Sequence, residues 1–410
     1  MDFSDTPQEA EFRAEAKAFL AANAKLRPQG SDAYRSRAFN HEDVRRSKEW
    51  QATKAKAGFA GFHWPKKYGG REGSQMQAII FAQEEEKYIV PPGIFNQGVG
   101  MALPTIMSCG TPAQAERYAR PALFGEEVWC QLFSEPAAGT DLAGLRTKAE
   151  KRGDEWVVNG QKVWTSNAHF SQFAMLVARS DSEVPKHQGL TFFILDMATP
   201  GVEVRRIKQI SGTSNFCEVF LSDVRIPDAN RLGAVGEGWK VAMTMLANER
   251  FAVAQAEGPD LDDILQLAKL VQLDGKAAIE DSAVREKLVT WYCQAQGLKY
   301  TRLRMQTALS RGKTPGPEAS IGKLVSATKL QEIAAFGIDL LGQAGAVMDG
   351  ELAPYNAWFQ NALLYAPGKR IDGGTDEVLR NIIAERVLKM PPELRVDKGM
   401  PFNKIPTGAR

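Results

Sequence analysis

The run Glu135-Pro136-Ala137-Ala138-Gly139-Thr140-Asp141 marks where this chain changes character. It closes a β-rich run at Cys130–Ser134, and Pro, Ala and Gly in that order make a tight, small-residue turn. Short β-rich runs follow it: Trp156–Val158, Val163–Ser166, Phe173–Ala178, Leu190–Leu195, Val202–Ile207 and Glu218–Leu221. Strands at this spacing predict a small sandwich or barrel, and Asn159-Gly160 reads as a hairpin turn between two of them. Before this region the pattern is helical. Phe12, Ala16, Phe19 and Leu20 form one apolar stripe, 75–88 and 112–124 predict further helices, and Gly61–Pro65 and Tyr68-Gly69-Gly70 read as turns. After Gly236-Glu237-Gly238-Trp239 it is helical again. Ile321, Leu324 and Val325 mark one helix, and Val378, Leu379, Ile382, Ile383 and Val387 mark the last, with Gly312–Pro317 as a break between long helices. The expected fold is therefore α+β: a helical N-terminal domain (1–125), a central β-domain (126–235), a C-terminal helical bundle (236–395) and a tail (396–410).

Composition narrows the function classes. The chain has 410 residues, with 51 Lys plus Arg against 49 Asp plus Glu. That near balance gives no support to nucleic-acid binding, which calls for a clustered basic excess. Cys109, Cys130, Cys217 and Cys293 are scattered without a CxxC pair, and His41, His63, His169 and His187 lack metal-ligand spacing, so no metal site is expected. No run of 18 apolar residues suggests a membrane span, and the start of the sequence shows no leader, so a cytoplasmic protein is expected. Neither GxGxxG opening a helix nor GxxxxGK[ST] occurs, which excludes a Rossmann turn or a P-loop.

The turn has company elsewhere. Val163-Trp164-Thr165-Ser166-Asn167 sets a large aromatic among hydroxyls on a neighbouring strand. Pro65-Lys66-Lys67-Tyr68-Gly69-Gly70, Phe216–Phe220 with Val224–Pro227, Gly236–Trp239 and Ile371–Leu388 complete the set. In this order, from about residue 5 to 390, they resemble the acyl-CoA dehydrogenase family. The resemblance implies a helical N-terminal domain, a small β-barrel or sandwich and a C-terminal four-helix bundle. It also implies FAD, an acyl-CoA substrate and a place in fatty-acid or lipid catabolism. Phe133, Ser134, Trp164, Thr165 and Ser166 would line the isoalloxazine ring. Gly139 and Thr140 would meet the diphosphate as an anion nest does.

Flavin-dependent α,β-desaturation removes an α-proton while a β-hydride leaves, so a carboxylate must stand near the α-carbon. Most members carry it in a Tyr-Glu-Gly-Thr loop. Here the loop reads Asp372-Gly373-Gly374-Thr375, and Gly373 occupies the acid's place. Some members instead place the Glu on a helix just before an Arg, which this sequence matches at Leu246-Ala247-Asn248-Glu249-Arg250. The resemblance thus implies Glu249 as base and Arg250 as an orienting or CoA-facing cation, with Asp372 a weaker candidate. Gly373 keeps a backbone N–H that would meet negative charge growing on the thioester oxygen. Thr375 reads as a helix N-cap with Asp376 and Glu377 in the first turn, and the family brings the positions of Thr375 and Glu377 near FAD.

Two family features are altered. Its inter-subunit Arg-x-x-Phe-Gly motif is replaced by Leu270–Lys276, and its Gln-x-x-Gly-Gly segment by Asp339-Leu340-Leu341-Gly342-Gln343. An acid near a diphosphate repels it. The leading expectation is an FAD-dependent acyl-CoA dehydrogenase, a homo- or hetero-oligomer (dimer or tetramer), reoxidised by an electron-transfer flavoprotein. The alternatives are a catalytically weak or structural partner subunit, and a flavin oxidase or monooxygenase on the same fold.

Overall fold

In the computed structural model, the described residues are 5–27, 40–252, 258–310, 316–350, 352–395 and 397–406. The side chains of 249–252 and 309–310 are not among them. The chain begins with α1 (Pro7–Asn23), β1 (Lys25–Leu26), α2 (His41–Lys56), α3 (Gln75–Glu85), β2 (Tyr88–Ile89), α4 (Leu103–Cys109) and α5 (Pro112–Leu123). The β-rich region holds β3 (Trp129–Leu132), β4 (Lys148–Arg152), β5 (Glu155–Ser166), β6 (Phe173–Arg179), β7 (Leu190–Asp196), β8 (Val202–Arg206), β9 (Phe216–Pro227) and β10 (Arg231–Leu232). Helices return with α6 (Gly238–Ala252) and α7 (Leu261–Leu270). A ribbon of β11 (Gln272–Leu273) and β12 (Lys276–Ala277) precedes α8 (Ser282–Ser310), α9 (Ala319–Leu341), α10 (Trp358–Lys369) and α11 (Asp376–Ile382).

These elements divide into two compact units: residues 1–36, 75–89 and 253–392 form one, and 37–74, 90–252 and 393–410 the other. In the first, α1 is fixed by a complete capping box between Thr6 and Glu9, and it buries Phe12, Ala16 and Leu20. α3 meets it through Phe81, whose ring centroid lies 6.2 Å from that of Phe19. Behind the long helices, Ile264, Leu267, Trp291, Ile333 and Phe359 form one core. Gly337 allows that packing, because a Cβ there would lie 2.2 Å from the Phe359 ring. The proposed break at Gly312–Pro317 falls largely on residues outside those described; α8 ends at Ser310 and α9 begins at Ala319.

The second unit is built on an eight-stranded sheet ordered β10-β7-β6-β4-β5-β9-β8, with β3 running parallel to β6. Both faces are covered, as alternation along β6 and β7 requires. Met175, Val177, Leu190, Phe192 and Ile194 join a core with Trp64, Leu103, Ile106, Leu123 and Met245. Ala174, Leu176, Phe193 and Leu195 face a second core with Trp156, Val219 and Ile226.

One expectation fails here. Asn159-Gly160 does not turn the chain: β5 runs unbroken through it for 12 residues. The partner strand explains this. β9 is equally long and pairs with both halves of β5, and the extra residue is absorbed as a register shift between Val158 and Gly160. Gly is needed for close approach, since a Cβ at 160 would lie 2.4 Å from the Thr147 hydroxyl oxygen. The strand Lys148–Arg152, which pairs with Glu155–Asn159, carries too many charges to announce itself by hydrophobic alternation.

Candidate active site

The site residues on the sheet come together where β3 ends beside β5. The Val163 N–H donates to the Ser134 carbonyl at 2.9 Å, which joins the segment carrying Phe133 and Ser134 to the one carrying Trp164, Thr165 and Ser166. The turn after Ser134 is closed by two reciprocal bonds of 3.0 Å between Glu135 and Ala138. Gly139 and Thr140 are exposed just beyond it, and a Cβ on Gly139 would meet nothing within 4 Å.

Trp164 has unusual geometry. Between Lys162 and Thr165 the β5–β9 register shifts again, and Trp164 sits there with φ +59°. A bulky side chain rarely adopts this left-handed backbone. The twist leaves its ring 58% exposed, edge-on to Phe216 at 6.0 Å between centroids. An aromatic face held in solvent by a strained bulge is what a stacked planar ring requires. Thr165, by contrast, is buried, and its Oγ1 has no hydrogen-bond partner among the described residues. A buried hydroxyl without a partner is costly, and a polar ligand edge would satisfy it. The exposed indole, the orphaned Thr165 hydroxyl and the open Gly139-Thr140 backbone fit a flavin dinucleotide.

A buried ion pair supports this platform. Lys162, wholly buried, places Nζ 2.9 Å from Glu135 Oε1 and donates to the Phe133 carbonyl at 2.9 Å. Glu135 also accepts from the N–H groups of Arg146 (2.6 Å) and Thr147 (2.8 Å). Burial pushes the Glu135 carboxyl up, but Lys162 and these donors outweigh it and hold it below its ordinary value. Burial also draws Lys162 down, to about 8, against the opposing pull of Glu135. The composition and motif reading did not reveal Lys162. A lysine inside a β-rich stretch is a signal, but a turn at Asn159-Gly160 hides its place on the long strand β5.

α6 carries Glu249 and Arg250 in its helical backbone; their side chains lie outside the described residues. The helix buries Val241, Ala242 and Met245, and Asn248 Nδ2 donates to Thr105 Oγ1 at 3.2 Å. The remaining site residues belong to the first unit. Gly373 is exposed with φ +59°, so the loop uses glycine's freedom there. Lys323 donates to the Gly374 carbonyl, and the Arg370 Nε holds buried Asp376 at 2.7 Å. Asp372 is held by Lys369 at 2.8 Å. Thr375 caps α11 by accepting from the Val378 N–H at 3.3 Å, with Asp376 and exposed Glu377 in the first turn. The Glu377 carboxyl is held below its ordinary value by its own backbone N–H and by Thr375.

His169 Nδ1 lies 3.5 Å from Cys217 Sγ, and burial holds its pKa below the ordinary histidine value. Among the described residues no group of three His, Cys, Asp or Glu is placed to hold a metal, and no helix is long and apolar enough to cross a membrane.

Comparison with known proteins converges on one family. The acyl-CoA dehydrogenase N-terminal domain model matches residues 6–126, the middle domain 130–224 and the C-terminal domain 236–388. The chain is 35% identical to the acyl-CoA dehydrogenase IpdE1 of Mycobacterium tuberculosis, covering 94% of this chain and 98% of that protein. Among solved structures it is similar to the Tcur3481-Tcur3483 steroid ACAD, with TM-score 0.77 and 26% identity over 96% of this chain and all of that one. It is equally similar to the ChsE4-ChsE5 complex of Mycobacterium tuberculosis, with TM-score 0.76 and 26% identity over 96% of this chain and 100% of that one. Three consecutive domain models and a full-length relative place this chain in the acyl-CoA dehydrogenase family, flavoprotein oxidoreductases that bind FAD and act on the CH–CH bond of acyl-CoA thioesters.

Proposed function

We propose that this chain desaturates an acyl-CoA thioester between its α- and β-carbons with Glu249 as the base. The carrying observation is the state of the loop: Gly373 has no side chain, and the nearest acid, Asp372, is tied to Lys369 at 2.8 Å. With those two set aside, Glu249 on α6, four positions after buried Met245, is the matching carboxylate. FAD, when bound, supplies the hydride acceptor. Phe133, Ser134, Thr165 and Ser166 bind the polar edge and body of its ring system, and Trp164 gives it a wall. Gly139 and Thr140 meet the diphosphate, with Thr375 and Glu377 as further cofactor contacts. Glu249 takes the α-proton onto its carboxylate, and Arg250 orients that acid or faces the CoA. The Gly373 N–H donates to the thioester oxygen as its charge grows, in a loop anchored by Lys323 on the Gly374 carbonyl. An electron-transfer flavoprotein would be the partner that takes the electrons on.

A loop without its side chain leaves room near the α-carbon, and one similar structure is a steroid acyl-CoA dehydrogenase. Both support a branched or ring-bearing acyl group over a straight short chain. Anaerobic titration of the purified yellow protein with a panel of acyl thioesters tests this. Bulky thioesters should bleach the flavin and Glu249→Gln should abolish bleaching while the flavin stays bound. Normal bleaching in that variant would remove Glu249 from the mechanism.

A second reading concerns assembly. Where the family carries its inter-subunit Arg motif, this chain folds a tight ribbon turned by Asp274 (φ +49°) and Gly275 (φ +80°). Asp339 is exposed on α9. One similar structure is a complex of two named chains. These features support a hetero-oligomer in which a second, related subunit supplies the missing cofactor contacts. The chain expressed alone should then retain fewer than one FAD per chain, and co-expression with such a subunit should raise that ratio. Full occupancy of the chain alone would favour a self-sufficient homo-oligomer.

A further inference from the structure

The C-terminal tail does not hang free of the second unit. The Phe402 N–H donates to the Val184 carbonyl at 2.9 Å, and the Asn403 N–H to Ser182 at 3.0 Å. Asn403 Nδ2 adds a bond of 2.6 Å to Glu183, and Pro401 bridges to Pro185. The Phe402 ring lies 3.5 Å from the guanidinium of Arg179. That guanidinium is buried with no carboxylate bonded to it among the described residues. It donates instead to the carbonyls of Ala143 (2.6 Å), Leu145 (3.0 Å) and Lys186 (3.2 Å). The tail, the 182–186 loop and the segment after Asp141 are thus joined through one buried cation.

Lys186 completes the joint. Its side chain is 8% exposed, and Nζ stands 2.8 Å from Asp141 Oδ2 and 2.5 Å from Asp397 Oδ2. Asp141 is the last residue of the turn that presents Gly139 and Thr140, and its carboxylate is 59% exposed. Left bare, that charge would repel a diphosphate at Thr140. A lysine shared between the turn and the tail offsets that charge in part and fixes where the turn ends.

We propose that Lys186 is a positioning residue for the cofactor's diphosphate, strapping the C-terminal tail through Asp397 to the turn at Asp141 and offsetting part of the charge on Asp141 there. This rests on the reading that Gly139 and Thr140 meet the FAD diphosphate. Lys186 itself touches no reacting atom in this scheme. The tail therefore serves the cofactor site rather than trailing from the fold.

The test compares two flavins on full-length apoprotein, FAD and riboflavin, which lacks the diphosphate. Fluorescence titration should show K186M weakening FAD binding about ten-fold, because the uncovered Asp141 charge then repels the diphosphate, with riboflavin unchanged. K186R should recover most of the loss, and D141N added to K186M should recover it too by removing the repelling charge. D397N, which frees the tail but leaves Lys186 on Asp141, should show a smaller loss confined to FAD, and it carries the test should K186M fail to fold. Equal weakening of FAD and riboflavin, or no weakening of either, overturns the proposal. A wild-type protein that binds FAD no better than riboflavin would instead overturn the underlying diphosphate reading.

Discussion

Lys162 Nζ lies 2.9 Å from Glu135 Oε1, in a pair whose lysine is fully buried. The same ammonium reaches the Phe133 carbonyl, and the same carboxylate takes two backbone N–H groups from Arg146 and Thr147. One pair thus ties the end of β3, the turn that follows it and the bulged half of β5 together. Its members are uncompensated if separated, because a lone charge here has no water to turn to.

Glu135→Gln should therefore destabilise the protein strongly, by about 3–5 kcal/mol, while the double change E135Q/K162M should recover much of that. Urea unfolding of the two variants gives the comparison. Equal destabilisation of the single and double variants would mean that the pair is not the source of the loss.

Acid should expose the same pair. The Glu135 carboxyl titrates below its ordinary 4.5 in the folded protein. Its stabilising contribution is therefore complete above that value and lost as pH falls through the lower folded pKa. Melting temperatures from pH 6 downward should decline more steeply for the wild type than for E135Q/K162M below about pH 4.5, the ordinary carboxyl value.

Trp164 should separate backbone strain from ring contact. Its φ of +59° suits glycine, so Trp164→Gly should relieve strain worth about 1–3 kcal/mol while removing the aromatic wall. Flavin binding should weaken in that variant and persist in Trp164→Phe. Titrating FAD into apoprotein should also quench the emission of the exposed indole, and an unchanged signal would place the ring away from the cofactor.

If Glu249 is the base, Asp372→Asn should leave flavin bleaching within about two-fold of wild type, since it breaks only a partly exposed pair with Lys369. A loss of 100-fold or more, on the scale of general-base catalysis, would move the base to this loop.

Gly337→Ala decides between two opposed effects in α9. Helix propensity favours alanine by about 1 kcal/mol. The new Cβ, however, would sit 2.2 Å from the Phe359 ring, and overpacking a core costs about 1–3 kcal/mol. The variant should melt at a lower temperature, because Phe359 is fully buried and has nowhere to move.

The order of elements was legible because burial repeats along the chain: Phe12, Ala16 and Leu20 recur at helical spacing, and Ala174–Ala178 and Phe192–Leu195 alternate between two cores. Caps were equally legible, since Thr375 meets its helix within three residues. Asn159-Gly160 misled because the pair favours a turn locally, whereas the irregularity lies opposite it on β9, where Ser222 and Asp223 face Asn159 alone. Only β9, some sixty residues away, decides against the turn.

From its own letters the sequence determined the family and the order of its three domains, because both are written in the succession of motifs. Tertiary structure alone decided that Trp164 would stand exposed on a left-handed bulge and that Lys162 would be buried against Glu135. It also decided that Lys186 would join Asp141 to Asp397. Those outcomes depend on strand register and on chain segments that meet only after folding, and no window of neighbouring residues encodes them.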